Sequence, residues 1–164
     1  RGTTALDGGA HFSGVYETAD GKFIAIGALE PQFYSELRRI IGATGDEFDA
    51  HFDRTKWPEL KQRFAAIFKT KTRAEWEALL SGTDVCFAPV LDLAEAPNHP
   101  HNIARNTFIE VDGVIQPNVA PRFSRTPGRV QGPPSPPGAH TREILTEWGF
   151  KDREIEALKV AGAI

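Results

Sequence analysis

The chain contains no methionine and a single cysteine. Without methionine it offers none of the flexible thioether side chains that line adaptable apolar binding surfaces. With one thiol it forms no intramolecular disulfide, which points to a reducing compartment and hence a cytoplasmic location. That cysteine, Cys86, lies within Val85-Cys86-Phe87-Ala88 and is expected to be a small buried hydrophobe. No apolar run approaches the roughly 18–20 residues of a membrane span, and no signal-peptide pattern opens the chain. Cations do not outnumber anions: the net charge is −3, which argues against a nucleic-acid partner, whose binding normally needs a basic stripe. There is no P-loop, no GxGxxG dinucleotide fingerprint and no Ser/His/Asp arrangement. The opening residues, Arg1-Gly2-Thr3-Thr4, lack a starting methionine, as expected of a fragment or a processed product.

What is present suits a soluble globular unit. The 164 residues are 40% hydrophobic and 25% charged, and a chain of this size hides about two-thirds of its unfolded surface. Leu6-Asp7-Gly8-Gly9-Ala10 reads as a loop, because paired glycines accept unusual backbone angles. Two strands follow around Asp20-Gly21, a strong hairpin signal. The second, Lys22-Phe23-Ile24-Ala25-Ile26-Gly27-Ala28, is apolar on both faces and is expected to be covered on both sides. Pro31 suits a first helical position, with Phe33, Leu37, Ile40 and Ile41 sharing a face until Gly42. Leu60, Phe64, Ile67 and Phe68 mark a second helix. Thr72-Arg73-Ala74-Glu75 is a capping box that introduces a third, carrying Trp76, Leu79 and Leu80. Strand-like segments recur at Val85–Val90 and Thr107–Val111, the latter ending in a turn at Asp112-Gly113. Between Gln116 and Gly138 stand seven prolines, the mark of a stiff extended strap with few donors for a sheet. Thr141–Trp148 and Asp152–Ala161 read as two short helices.

Several residues are candidates for chemistry. Glu30 sits where the apolar strand ends and the Pro31 helix begins, its backbone restricted by the following proline. The helix N-terminus favours its anion, while Leu29 and Phe33 would favour the neutral acid. A group held between these effects suits acid/base work; an ordinary first-turn glutamate has the same local sequence. Gly8 and Gly9 allow a backbone to approach a ligand closely, and His11 beside them is a candidate for holding an anion or a plain loop histidine. Arg122, Arg125 and Arg129 in the strap suit either phosphates or carboxylates. His99 and His101 lack the further ligands that a metal site needs, so no metal is expected.

The order of these segments carries a resemblance. Leu6-Asp7-Gly8-Gly9-Ala10 precedes Tyr16-Glu17-Thr18-Ala19-Asp20-Gly21-Lys22, then the diagnostic Gly27-Ala28-Leu29-Glu30-Pro31-Gln32-Phe33-Tyr34. Ala88-Pro89-Val90-Leu91 with His99-Pro100-His101 follows. Ser124-Arg125-Thr126-Pro127-Gly128 through Pro137-Gly138-Ala139-His140-Thr141 completes the set. Together they resemble the C-terminal half of family III CoA-transferase-fold proteins, in the α-methylacyl-CoA racemase branch. One departure is His11-Phe12-Ser13, where Pro-Phe-Tyr is expected.

The resemblance implies an α+β fold, incomplete here: a small domain with a β-hairpin or mixed sheet and several helices, a Pro-rich strap, then C-terminal helices. The implied divisions are a linker or active-site loop at 1–13, the small domain at 14–112, the strap at 113–138, and helices at 139–164 that would pack on a missing large domain. It implies racemisation of 2-methyl-branched acyl-CoA thioesters through an enolate, with Glu30 pairing a histidine that this sequence does not contain, so that the chain alone would be inactive. The other activity implied is transfer of CoA between carboxylic acids. CoA is then part of the substrate and no separate cofactor is expected; the implied partners are the acyl-CoA and a second copy in an interlocked homodimer.

Overall fold

A computed structural model describes residues 2–164. Strand β1 (Ser13–Glu17) and strand β2 (Phe23–Gly27) form an antiparallel hairpin in which Tyr16 stands opposite Ile24. The connecting loop closes on Thr18, whose N–H donates to the Lys22 carbonyl at 2.9 Å, and Gly21 takes the positive φ of 73° that a side chain would resist. Strand β3 (Phe87–Val90) pairs with the other edge of β2, so β2 is central in an antiparallel three-stranded sheet.

Alternation along β2 sends Ile24 and Ile26 into the core and leaves Phe23 exposed and Ala25 half-buried. Contrary to expectation, the sheet is therefore covered on one face only. The apolar residues of the second face are small or sit at the strand's exposed start. Cys86 also departs from expectation. Its φ of 52° breaks the strand alternation at the start of β3, so Val85 is buried and Cys86 is exposed.

Three helices cover the inner face. Helix α1 (Pro31–Ile41) begins at a proline, which lacks the N–H that the first turn could not have used, and stops where Gly42 adopts φ 77°. Its buried residues are Tyr34, Leu37 and Ile41, with Phe33 and Ile40 half-buried at the flanks. The face is thus centred on Tyr34 rather than Phe33. Helix α2 (Trp57–Phe68) buries Trp57, Leu60, Phe64 and Phe68. Helix α3 (Arg73–Leu80) starts in the expected capping box, with both reciprocal Thr72–Glu75 bonds made, and buries Trp76 and Leu80 while Leu79 stays exposed. The buried indoles are satisfied: Trp57 donates to the His51 carbonyl at 2.9 Å and Trp76 to that of Phe68 at 2.8 Å.

The chain divides into two compact units, one up to Ala96 and one from Pro97 to Ile164. The second contains helix α4 (Pro100–Ala104), strands β4 (Phe108–Val111) and β5 (Val114–Pro117), and helices α5 (Thr141–Glu147) and α6 (Asp152–Val160). Asp112 and Gly113, at φ 52° and 77°, make the tight turn between β4 and β5. The hairpin thus reaches into the segment read as strap. Arg122 ties the following chain back by donating to the carbonyls of Arg105 and Asn106. Among the described residues of this unit only Ile155 is buried, while Trp148 is 76% and Val160 89% exposed. No helix among the described residues is long and apolar enough to cross a membrane.

Candidate functional site

Glu30 caps helix α1 in extended geometry, φ −73° and ψ 142°. Its carbonyl accepts the Tyr34 N–H at 2.9 Å, the first backbone bond of the helix. Its side chain makes no capping bond and is exposed, and among the described residues it has no ion-pair partner. Leu29 and Phe33, half-buried against the core, do not cover it. Glu30 is thus held by its main chain and left open at its carboxylate.

Directly beneath this junction lies a buried polar cluster. The Tyr34 hydroxyl donates to the Phe48 carbonyl at 3.1 Å, which leaves its oxygen to accept from His11 Nε2 at 2.7 Å. That network fixes the His11 tautomer with the proton on Nε2. The His11 Nδ1 and the His51 Nε2 are buried without a hydrogen-bond partner. The His51 ring stacks on Tyr34, centroids 3.8 Å apart and planes within 7°, and also on Phe52 at 4.2 Å. Desolvation holds both imidazoles neutral, His11 at about 3 and His51 at about 4. The electrostatic influence of His51 lowers His11 further, while a hydrogen-bond contact with the Ala28 backbone works the other way on His51. Burial pushes the Tyr34 phenol well above its usual range.

His11 was a candidate for holding an anion from a loop. It is instead 0% exposed and uncharged near neutrality, with edge contacts to Phe12 and Phe64. The loop before it folds back on itself, which removes the histidine from solvent. Asp7 accepts the N–H groups of Gly2 at 2.9 Å and Thr4 at 2.7 Å, and these bonds hold its carboxyl down at about 2. The Gly8 carbonyl accepts from Lys61 on α2. A Cβ on Gly9 would stand 2.7 Å from the backbone of Thr3 and Thr4, so this glycine is required by the loop's own closure. Gly9 also lines a cleft of about 320 Å³ with Arg54, Thr55 and Trp57; Glu30 does not.

The remaining candidates lie elsewhere. His99 caps α4, accepting the His101 N–H at 3.3 Å. Arg122 is engaged by backbone carbonyls, and Arg125 and Arg129 are exposed. Among the described residues no group of three or more His, Cys, Asp or Glu gathers as metal ligands.

The structure thus links Glu30 to His11 through Tyr34, although the two do not touch. Sequence reasoning missed Tyr34, Phe48 and His51 as members of this cluster. The available signal for Tyr34 was its place one helical turn after Glu30. Chemically, the arrangement is one exposed carboxylate on a stiff strand-to-helix junction, backed by neutral groups that hold it without competing for its charge.

Comparison with known proteins follows the same residues. Residues 1–141 match CoA-transferase family III. The chain is 46% identical over 158 residues to alpha-methylacyl-CoA racemase of Mus musculus, covering 94% of this chain and 41% of that protein. It is 44% identical over 160 residues to alpha-methylacyl-CoA racemase of Homo sapiens, covering 96% of this chain and 42% of that protein. The chain therefore spans about two-fifths of the length of these curated relatives. A crystal structure of Rv3272 from M. tuberculosis superposes with a TM-score of 0.65 at 22% identity, covering 82% of this chain and 40% of that one. That likeness shows the mixed α+β fold.

Proposed function

Because the chain belongs to CoA-transferase family III, we propose that it carries one part of a site that racemises 2-methyl-branched acyl-CoA thioesters at the α-carbon. The α-hydrogen next to a thioester carbonyl is weakly acidic. A base removes it, the electron pair passes onto the thioester oxygen as an enolate, and an acid returns a proton to either face of the carbon. Such chemistry asks for acid/base groups flanking one carbon and oriented dipoles at the enolate oxygen. The observation that carries the proposal is the Glu30 carboxylate: exposed, without a partner among the described residues, and fixed by its backbone. A group built this way is available to a histidine and a substrate contributed from outside this chain.

In this reading Glu30 exchanges a proton with that histidine, and Gly8 and Gly9 shape the loop beside the acyl-CoA. CoA enters as part of the substrate, and no other cofactor takes part. The proposed assembly is a cytoplasmic, interlocked homodimer in which Glu30 of one protomer completes a site built largely by its partner. By itself the 164-residue chain is expected to be inactive.

The family's name supports a second reading, transfer of CoA between carboxylic acids. Incubating the full-length protein with a 2-methylacyl-CoA in deuterated water separates the two. Racemisation predicts deuterium at the α-carbon with no carboxylate added; strict dependence on a carboxylate acceptor would refute it. Glu30→Gln is expected to slow the exchange by about 10²–10⁴-fold, the usual contribution of a positioned acid/base group, with the fold intact by circular dichroism.

A further inference from the structure

Resting on the reading of Glu30 above, we propose that His11 and Tyr34 are positioning residues for that carboxylate, joined as a buried latch between the glycine loop and the first turn of α1.

Glu30 cannot orient itself. Its side chain makes no bond to the helix it caps, and Pro31 offers no N–H. Where the carboxylate stands is therefore set by where the main chain on either side of it is held. On the C-terminal side that point is Tyr34, whose N–H bonds the Glu30 carbonyl at 2.9 Å. The Tyr34 hydroxyl has two fixed partners, the Phe48 carbonyl at 3.1 Å and His11 at 2.7 Å. His11 is in turn held through its own carbonyl, which accepts the Tyr16 hydroxyl at 2.5 Å, so the latch reaches back to β1. On the N-terminal side the chain runs into Ala28, which is fully buried in the core. His51 stacks face to face on Tyr34 at 3.8 Å. The C-terminal flank of Glu30 is thus held by one cluster of two imidazoles and a phenol, and the N-terminal flank by burial of Ala28.

The placement suits a positioning role. The cluster is closed to solvent, where a hydrogen bond is stronger than in water and the loss of one partner strands the other. Its members are neutral near pH 7, so they hold the main chain beside the carboxylate without adding charge to it. Proton transfer is sensitive to displacements of the order of 1 Å. A latch one turn from the reacting group controls displacements of that size.

The test measures α-deuterium exchange by the full-length protein with Tyr34→Phe, His11→Leu, the double variant, and His11→Gln, which returns a side-chain N–H near the position of Nε2. Tyr34→Phe and His11→Leu are each expected to lower kcat by about 10–100-fold with KM unchanged. The double variant is expected to lose no more than the worse single one, because both remove the same bond. His11→Gln is expected to recover most of the rate. Wild-type kcat in Tyr34→Phe and His11→Leu, losses that appear in KM, or losses that multiply in the double variant would each overturn the latch. Glu30→Gln run in parallel separates the two ideas: if it exchanges normally, the reading of Glu30 falls first. If it is inactive while the latch variants are not, only the latch falls. Should His11→Leu fail to fold, the nearly isosteric Tyr34→Phe and His11→Gln still decide the matter.

Discussion

Acid should unfold the first unit through two histidines, and the size of the effect follows from their burial. His11 and His51 fall from an ordinary 6.5 to about 3 and about 4 in the folded chain. The folded state therefore binds fewer protons than the unfolded state between those values and 6.5. Stability is complete above about pH 6.5 and is lost as pH falls through this window. At pH 5 an unfolded imidazole is almost fully protonated while each folded one remains mostly neutral. The difference is about 2 kcal/mol per histidine relative to pH 7.5, or about 4 kcal/mol together. Urea titrations of the chain, followed by tryptophan fluorescence from Trp57 and Trp76 in the core, measure it directly. With a slope of about 1–3 kcal/mol/M, the midpoint should drop by more than about 1 M between pH 7.5 and 5. His51→Gln should remove about half of this pH dependence, and His11→Gln with His51→Gln nearly all of it. The window lies above the range in which Asp7, held at about 2, takes up its proton. A midpoint that stays level from pH 7.5 to 5, or one that falls equally in the double variant, would refute the argument.

Two other consequences are simpler to check. Cys86 is the one thiol and is exposed, so the native chain should react with a thiol-specific disulfide reagent at one equivalent, without denaturant; reaction only after unfolding would place it in the core. Thr72→Ala removes a capping box in which Thr72 and Glu75 satisfy each other's backbone N–H groups, and should lower stability by about 1 kcal/mol, read as a shift in urea midpoint without a change in slope.

Much of the fold is legible because its signals are local. Pro31 and Gly42 bound α1, Thr72 and Glu75 open α3, and Asp112-Gly113 makes a two-residue turn, each through geometry that a few adjacent residues decide. The failures share the opposite character. Apolar residues on both faces of β2 suggested two covering layers, but which face is covered depends on helices that lie far along the chain. Cys86 sits in an apolar run, yet a single residue at φ 52° reverses which side faces in. His11 follows two glycines and so reads as a loop residue. Its hydroxyl partner stands 23 residues away, and no local pattern announces that meeting.

The same division governs the site. Local sequence located Glu30 at a strand-to-helix junction and placed its backbone correctly, but it assumed that Leu29 and Phe33 would desolvate the carboxylate. Both side chains turn toward the core, because the face of α1 is centred on Tyr34, and the carboxylate is left in water. Helix-end electrostatics alone are too weak to make a catalyst of a surface glutamate. In the proposed function, exposure therefore moves the source of tuning without abolishing the role. What the proposed latch contributes is placement, through neutral groups beneath the junction. What acid/base work further requires is the exclusion of water around the carboxylate, which the proposed function assigns to the substrate and the protein parts outside this chain.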